Sequence, residues 1–104
     1  MRVVKHKFHA KPTERDGFRF DSKLESRYYE LLKVRMKADV LFFLRQVPFH
    51  LPGEVKYVAD FLVFLQDGTV EVIDVKGKDT PISIAKRKMV EAIYPINIKI
   101  VTKV

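Results

Sequence analysis

The run Tyr57-Val58-Ala59-Asp60-Phe61-Leu62-Val63-Phe64-Leu65, an Asp67-Gly68 turn, and the run Thr69-Val70-Glu71-Val72-Ile73-Asp74-Val75-Lys76-Gly77 decide the reading of this chain. Each is an apolar strand interrupted by charge. Side chains alternate faces along a strand, so Asp60 is expected to share a face with Val58, Leu62 and Phe64, and Asp74 and Lys76 a face with Val70 and Val72. The opposite faces carry Phe61, Val63, Ile73 and Val75, so both strands read as buried on two sides. An ionised carboxylate there is costly unless something pairs with it. Three charged groups converging on one hairpin point to a metal site with hard oxygen ligands and an ammonium beside it. A mutual Asp74–Lys76 ion pair is the plainer account, and it leaves Asp60 unexplained.

Outward from the hairpin, residues Ser22 to Ala38 read as a helix, with Asp21 or Ser22 as N-cap and Leu24, Tyr28, Leu31, Leu32 and Met36 on the apolar side. Leu41 to Val47 reads as a first strand, interrupted by Pro48 and then the Pro52-Gly53 turn. Thr80-Pro81 is a cap followed by a first-turn proline, opening a second helix to about Tyr94, where Pro95 stops it. Asn97 to Val101 reads as a last strand. The predicted order is αβββαβ, an α/β fold with a mixed central sheet and flanking helices.

The chain has 104 residues, enough for one domain and one core. Residues 1 to about 19 carry Lys5, Lys7, Lys11, Arg15 and Arg19 with Pro12 and Gly17 and no sustained period, which predicts a basic arm ahead of a domain over residues 20–104. A formal charge of +7 favours a polyanionic partner, nucleic acid above all. With no cysteine there is no disulfide framework and no thiolate zinc site. Lacking a signal-peptide pattern and any run long enough to span a bilayer, the sequence predicts a cytoplasmic protein with no membrane partner.

Two more charges stand out of place. On a helical wheel Glu25 falls inside the apolar arc of the first helix, where it either serves the site or closes a Ser22-x-x-Glu25 capping box. Lys86 falls within the arc of Ile82, Ala85, Met89, Ala92 and Ile93 on the second helix, and is expected either to reach the site's rim or to snorkel to solvent. Glu71 shares a face with Ile73, opposite Asp74, and is not expected to be a ligand. His6, His9 and His50 have no zinc-ligand spacing. Without a Gly-rich phosphate loop, a GxSxG elbow or a Cys nucleophile, metal-assisted hydrolysis is the chemistry that remains.

Asp60 on the second strand, Asp74-Val75-Lys76 on the third and Glu25 on the first helix resemble the signature of the PD-(D/E)XK nuclease superfamily. Ala59 stands where the motif's name has Pro, and Asp74 where Glu is commoner. The stretch from Lys7 to Glu25, together with Gln46-Val-Pro-Phe and Tyr57-Val-Ala-Asp60, is similar to a small phage-encoded branch related to Holliday-junction resolvases.

The resemblance implies a restriction-endonuclease-like core. It implies that Asp60, Asp74 and the Val75 carbonyl hold Mg²⁺, with Mn²⁺ able to substitute, and that Glu25 serves a second ion or its water. Lys76 would orient or help deprotonate the attacking water. Gln46 matches a recurrent Gln near the active-site strands and is an accessory candidate. Lys5, Lys7, Lys11, Arg15, Lys86 and Arg87 are the expected phosphate contacts. The implied activity is structure-selective cleavage of DNA, most of all resolution of four-way junctions by paired symmetric nicks, which needs two sites and therefore a homodimer. A general or transposase-type phage endonuclease and a non-catalytic nucleic-acid-binding module are the rival readings.

Overall fold

A computed structural model describes residues 13–104. It begins with a hairpin of two short strands, β1 (Thr13–Arg15) and β2 (Phe18–Phe20), followed by helix α1 (Lys23–Arg35). Three antiparallel strands come next: β3 (Val40–Leu51), β4 (Val55–Leu65) and β5 (Val70–Val75). Helix α2 (Pro81–Ile93) and strand β6 (Ile98–Val101) complete the chain. The main sheet has the order β3-β4-β5-β6, and β6 runs parallel to β5, so the sheet is mixed.

The β1–β2 hairpin overlaps the end of the segment, residues 1 to about 19, that the sequence predicts to be a basic arm, partly ordered at most. Asp16 and Gly17 both take positive φ, at 53° and 81°, the pair of conformations a two-residue hairpin turn requires. The Asp16 carboxylate accepts bonds from the Tyr29 hydroxyl at 2.8 Å and from the Lys33 ammonium, fixing the turn to α1. Phe20 is wholly buried and packs 5.0 Å from the Tyr29 ring, a contribution of about 1.5–3 kcal/mol from burial alone.

β3 runs straight through Pro48 to Leu51, past the expected stop at Val47. The physical reason is its position at the sheet edge, where a proline ring turned to the unpaired side costs no ladder bond. The turn into β5 follows the sequence: the Asp67 carboxylate accepts from the Thr69 amide and hydroxyl at 2.9 and 2.6 Å.

Apolar side chains form a cluster on each face of the sheet. Tyr28, Tyr29 and Leu32 of α1 pack with Phe61, Val63, Ile73 and Val75, while Val90 of α2 packs with Tyr57, Ala59, Val72 and Ile98. Tyr57 and Ala59 therefore belong to one face and Phe61 and Val63 to the other, although all four are odd-numbered. The expected alternation, with Asp60 on the face of Val58, Leu62 and Phe64, breaks at Asp60 itself. The β4–β5 ladder ends at Phe61–Ile73, and beyond it the Asp60 carboxylate accepts the Val75 amide at 2.8 Å in place of a backbone carbonyl. Across the ladder Gln46 sits at φ 54°, a left-handed conformation inside a strand.

α2 also departs from expectation. It is capped by Thr80, whose hydroxyl accepts the Ser83 amide at 3.2 Å, and starts on Pro81 as the sequence predicts. Its apolar stripe, however, faces solvent: Ile82 is 71 % exposed and Ile93 51 %. The inward side carries Val90 together with polar groups that find local partners. Arg87 pairs with Asp79 at 2.6 and 3.0 Å, and Glu91 accepts the Ile98 amide at 2.7 Å. Among the described residues no helix is long and apolar enough to cross a membrane.

Candidate active site

Where β4 and β5 part, a cavity of about 470 Å³ opens between the start of α1, the middle of β3 and the start of α2. Glu25, Gln46, Asp60, Asp74, Val75 and Lys76 all line it. The structure thus brings together every residue assigned to the core of the site from sequence.

Each carboxylate is delivered by a different element. Glu25 comes from the first turn of α1, where its amide donates to the Ser22 hydroxyl at 3.1 Å, so the helix cap fixes its backbone. Its side chain is buried, reached by the Gln46 amide at 3.1 Å, with the Arg45 guanidinium 3.8 Å away. The capping and site readings of Glu25 are compatible, since the cap uses its amide and leaves its carboxylate to the cavity. Asp60 comes from the break in β4, and Gln46 reaches it at 3.5 Å, so one amide lies between the two acids. Asp74 comes from β5; it is 3 % exposed, accepts a short hydrogen bond from the Tyr57 hydroxyl, and lies 3.3 Å from the Lys76 ammonium.

Burial and mutual repulsion shape the electrostatics. Burial first, and then the nearby Asp21 carboxylate, push Glu25 up to about 7 against an ordinary value of 4.5. Burial, with Asp74 and Glu25 close by, pushes Asp60 up to about 8, the Val75 amide opposing the rise. Burial and the bond to Asp74 push the Tyr57 hydroxyl up as well. At neutral pH the cavity holds buried acids that resist ionisation: the Lys76 ammonium lies beside Asp74 and the Arg45 guanidinium beside Glu25, and neither outweighs burial and repulsion at Glu25 and Asp60.

That deficit and the donor set fit a hard divalent cation: carboxylate oxygens from α1, β4 and β5, and the Val75 main chain at the same wall. Among the described residues no three His, Asp or Glu side chains are closed to metal-ligand spacing. The Gln46 amide stands between Glu25 and Asp60.

Of the expected phosphate contacts, Lys86 lines the cavity and Arg15 is exposed on β1. Arg87 is turned inward and committed to Asp79, with 13 % of its side chain exposed, because the inward side of α2 is the polar one. Lys5, Lys7 and Lys11 lie outside the described residues. Lys56 and Lys78, not singled out from sequence, stand at the cavity wall. Sequence reasoning also missed Tyr57 and Arg45. Tyr57 is three residues before Asp60 in a strand and gives no periodic sign of reaching Asp74. The Arg45 guanidinium lies 4.2 Å over the Phe20 ring and 4.9 Å over Phe18, a stack built by the hairpin that the sequence did not foretell.

Fold and site together define a small mixed α/β domain with an open cavity that holds buried carboxylates and has Lys56, Lys78 and Lys86 at its wall. The chain belongs to the family described as "Protein of unknown function (DUF1064)", which matches residues 5–104. No curated protein and no solved structure matches it.

Proposed function

We propose that this protein is a metal-dependent DNA endonuclease with a restriction-endonuclease-like core, acting on branched DNA and most of all on four-way junctions. The observation that carries the reading is the convergence of Glu25, Asp60, Asp74 and Lys76 in one cavity, from α1, β4, β5 and the residue that follows β5. The resemblance to the PD-(D/E)XK nucleases rests on the same four residues. The order α1-β3-β4-β5-α2-β6 agrees with the order that resemblance implies.

Asp60 and Asp74, with the Val75 carbonyl, would hold Mg²⁺, and Glu25 would serve the same or a second ion. When bound, the ion supplies positive charge against the phosphate oxygens as the phosphodiester is attacked. Tyr57 holds one oxygen of Asp74 and so fixes the direction of the other. Gln46 keeps Glu25 and Asp60 apart and supplies an N–H to each. Lys76, 3.3 Å from Asp74, orients the attacking water and donates to the oxygens that gain charge in the transition state. The water adds to phosphorus as one P–O ester bond breaks; its proton passes toward Glu25 or solvent, and the departing ester oxygen takes a proton from solvent to leave as a hydroxyl. Lys56, Lys78 and Lys86 hold the flanking phosphates without reading bases.

The test is cleavage of a labelled four-way junction against a linear duplex of matching sequence, with Mg²⁺ or EDTA, for wild type and Asp74→Ala. Paired symmetric nicks on the junction, lost with EDTA and in the variant, are the expected result. Equal cutting of both substrates would remove the junction preference and leave a general nuclease. Binding with no metal-dependent scission would overturn the enzymatic reading in favour of a binding module.

A further inference from the structure

A second cavity, of about 570 Å³, lies between the β1–β2 hairpin, α1 and β3, and has Gln46 in common with the first. Its size is that of an ordinary ligand site, ~300–1,000 Å³. The wall is aromatic. Phe18 meets Tyr29 edge-on at 6.0 Å, and Tyr29 meets Phe43 at 5.7 Å. Cations are interleaved with these rings: the Arg45 guanidinium lies 4.9 Å over Phe18, and the Lys33 ammonium 5.1 Å from the centre of Tyr29. The polar groups of the wall are already engaged. The Tyr29 hydroxyl and the Lys33 ammonium donate to Asp16, the Gln46 amide to Glu25 and Asp60, and Arg45 to the Arg19 carbonyl at 3.3 Å. An occupant therefore meets ring faces here, and few hydrogen-bonding edges.

Phe18 is the ring that packing does not account for. It is 46 % exposed, on a strand of three residues beside a two-residue turn, where a polar side chain would serve the fold as well. Its cross-strand partner is Arg15, also exposed. Directly opposed residues carry their side chains on the same side of a ribbon, so a cation stands beside the bare ring. A flat aromatic face next to a positive charge suits one nucleotide, with its base on the ring and its phosphate on the guanidinium. An apolar peptide or an acyl chain would use the rings and leave the cations without a role. A paired and stacked base has no free face to offer. A base released at a fork, gap or branch has one, and its unstacking is already complete.

We propose that this groove holds an unpaired nucleobase of the strand whose phosphate occupies the carboxylate cavity, with the base stacked on Phe18 and Arg15 on the adjoining phosphate. Gln46, common to both cavities, sets the two sites side by side. The assignment rests on the reading of the carboxylate cavity as a phosphodiester site and names the feature of DNA that it selects. That feature is a base out of its pair next to the point of cleavage, recognised by its face and so with little regard to sequence.

The experiment is a fluorescence binding titration of the full chain in EDTA, where no strand is cut. Two DNAs carry 2-aminopurine at the same position: an intact duplex, and the same duplex forked so that the labelled base is unpaired at the branch. Phe18→Leu keeps apolar bulk and loses the flat face, Phe18→Trp keeps the face, and far-UV circular dichroism checks that both variants fold. Wild type is expected to bind the fork about tenfold more tightly than the duplex and to quench the label only there. Phe18→Leu should lose the preference and the quenching while its duplex affinity stays within about twofold, and Phe18→Trp should retain both. Metal-dependent cleavage of the same DNAs reports on the carboxylate cavity separately. Wild type binding both DNAs alike, or Phe18→Leu with its preference intact, would overturn the groove and leave the nuclease reading standing wherever cleavage persists. Equal loss of affinity for both DNAs in Phe18→Leu would overturn it too, since the ring would then support binding in general and not a base. Binding of neither DNA, with no cleavage, would overturn both readings.

Discussion

Asp60→Asn should make the metal-free protein more stable at alkaline pH, although it removes a residue at the centre of the site. The Asp60 carboxyl titrates at about 8 in the fold against 3.8 ordinarily, because it is buried and faces Asp74 and Glu25. The folded value lies above the unfolded one, so between about pH 4 and 8 the fold keeps a proton that the unfolded chain has released. The stability linked to this group is full below about pH 4 and is lost as pH rises through 8. At about 1.4 kcal/mol per pH unit, the whole displacement corresponds to about 6 kcal/mol. Asp60 is only partly buried by exposed area and water screens part of its charge, so we expect a loss of about 2–4 kcal/mol. Asn has the same shape, cannot ionise, and keeps an oxygen to accept the Val75 amide.

In EDTA, wild type should therefore melt lower at pH 8.5 than at pH 5. Asp60→Asn should exceed it by only a few degrees at pH 5, where about a quarter of the loss has accrued, and by roughly 10–20 °C at pH 8.5, given ~4–8 °C per kcal/mol in a domain of this size. Thermal melts followed by circular dichroism at the two pH values provide the comparison. Adding Mg²⁺ at pH 8.5 should raise the wild type and leave the variant nearly unmoved. A variant that melts below wild type at pH 8.5 in EDTA would refute the reasoning, since Asp60 would then be stabilising the fold as a carboxylate.

Three further outcomes are expected. Lys76→Ala should slow metal-dependent strand cleavage by at least a hundredfold while changing DNA affinity by less than threefold, as read by single-turnover cleavage beside a binding titration. Tyr57→Phe leaves one buried oxygen of Asp74 without its donor; it should cost about 1–3 kcal/mol in urea unfolding and lower kcat more than it raises KM. Phe61→Ala, at a wholly buried position between the α1 rings and the sheet, should cost about 3–5 kcal/mol, enough to leave little folded protein at 37 °C.

The parts of the fold legible in the sequence were those written in local chemistry. Ser22 and Thr80 capped the helices as their side chains suggested, and Asp67-Gly68 turned the β4–β5 hairpin where expected. Glu25, Asp60, Asp74 and Lys76 could be singled out because each is a charge in a place where periodicity demands an apolar residue. The parts that were not legible depend on what lies across from a residue. Pro48 reads as a strand breaker until β3 is known to be an edge. The β1–β2 hairpin has strands of three residues, too short for alternation to register. The stripe on α2 was read correctly as apolar and wrongly as inward, because a hydrophobic pattern shows that a face avoids water and not which surface covers it.

The same distinction bears on the site. Strand periodicity places Asp60 on a face of the sheet, whereas the structure places its carboxylate at the edge of β5, on a backbone amide the ladder has abandoned. Opposite it Gln46 holds a left-handed backbone, a conformation that costs a non-glycine residue about 1–3 kcal/mol. Neither irregularity improves the core: one gives up ladder bonds and the other stores strain. Together they open the sheet between Asp60 and Asp74 and aim an amide at Glu25 and Asp60, making room where a continuous ladder would leave none. A protein that needed only to fold would close this gap by continuing the ladder and carrying an apolar residue at position 60. The price of keeping it open is intelligible if the gap receives a cation and a phosphate, and so the break in the ladder adds to the convergence of the charged residues in support of the proposed catalytic reading.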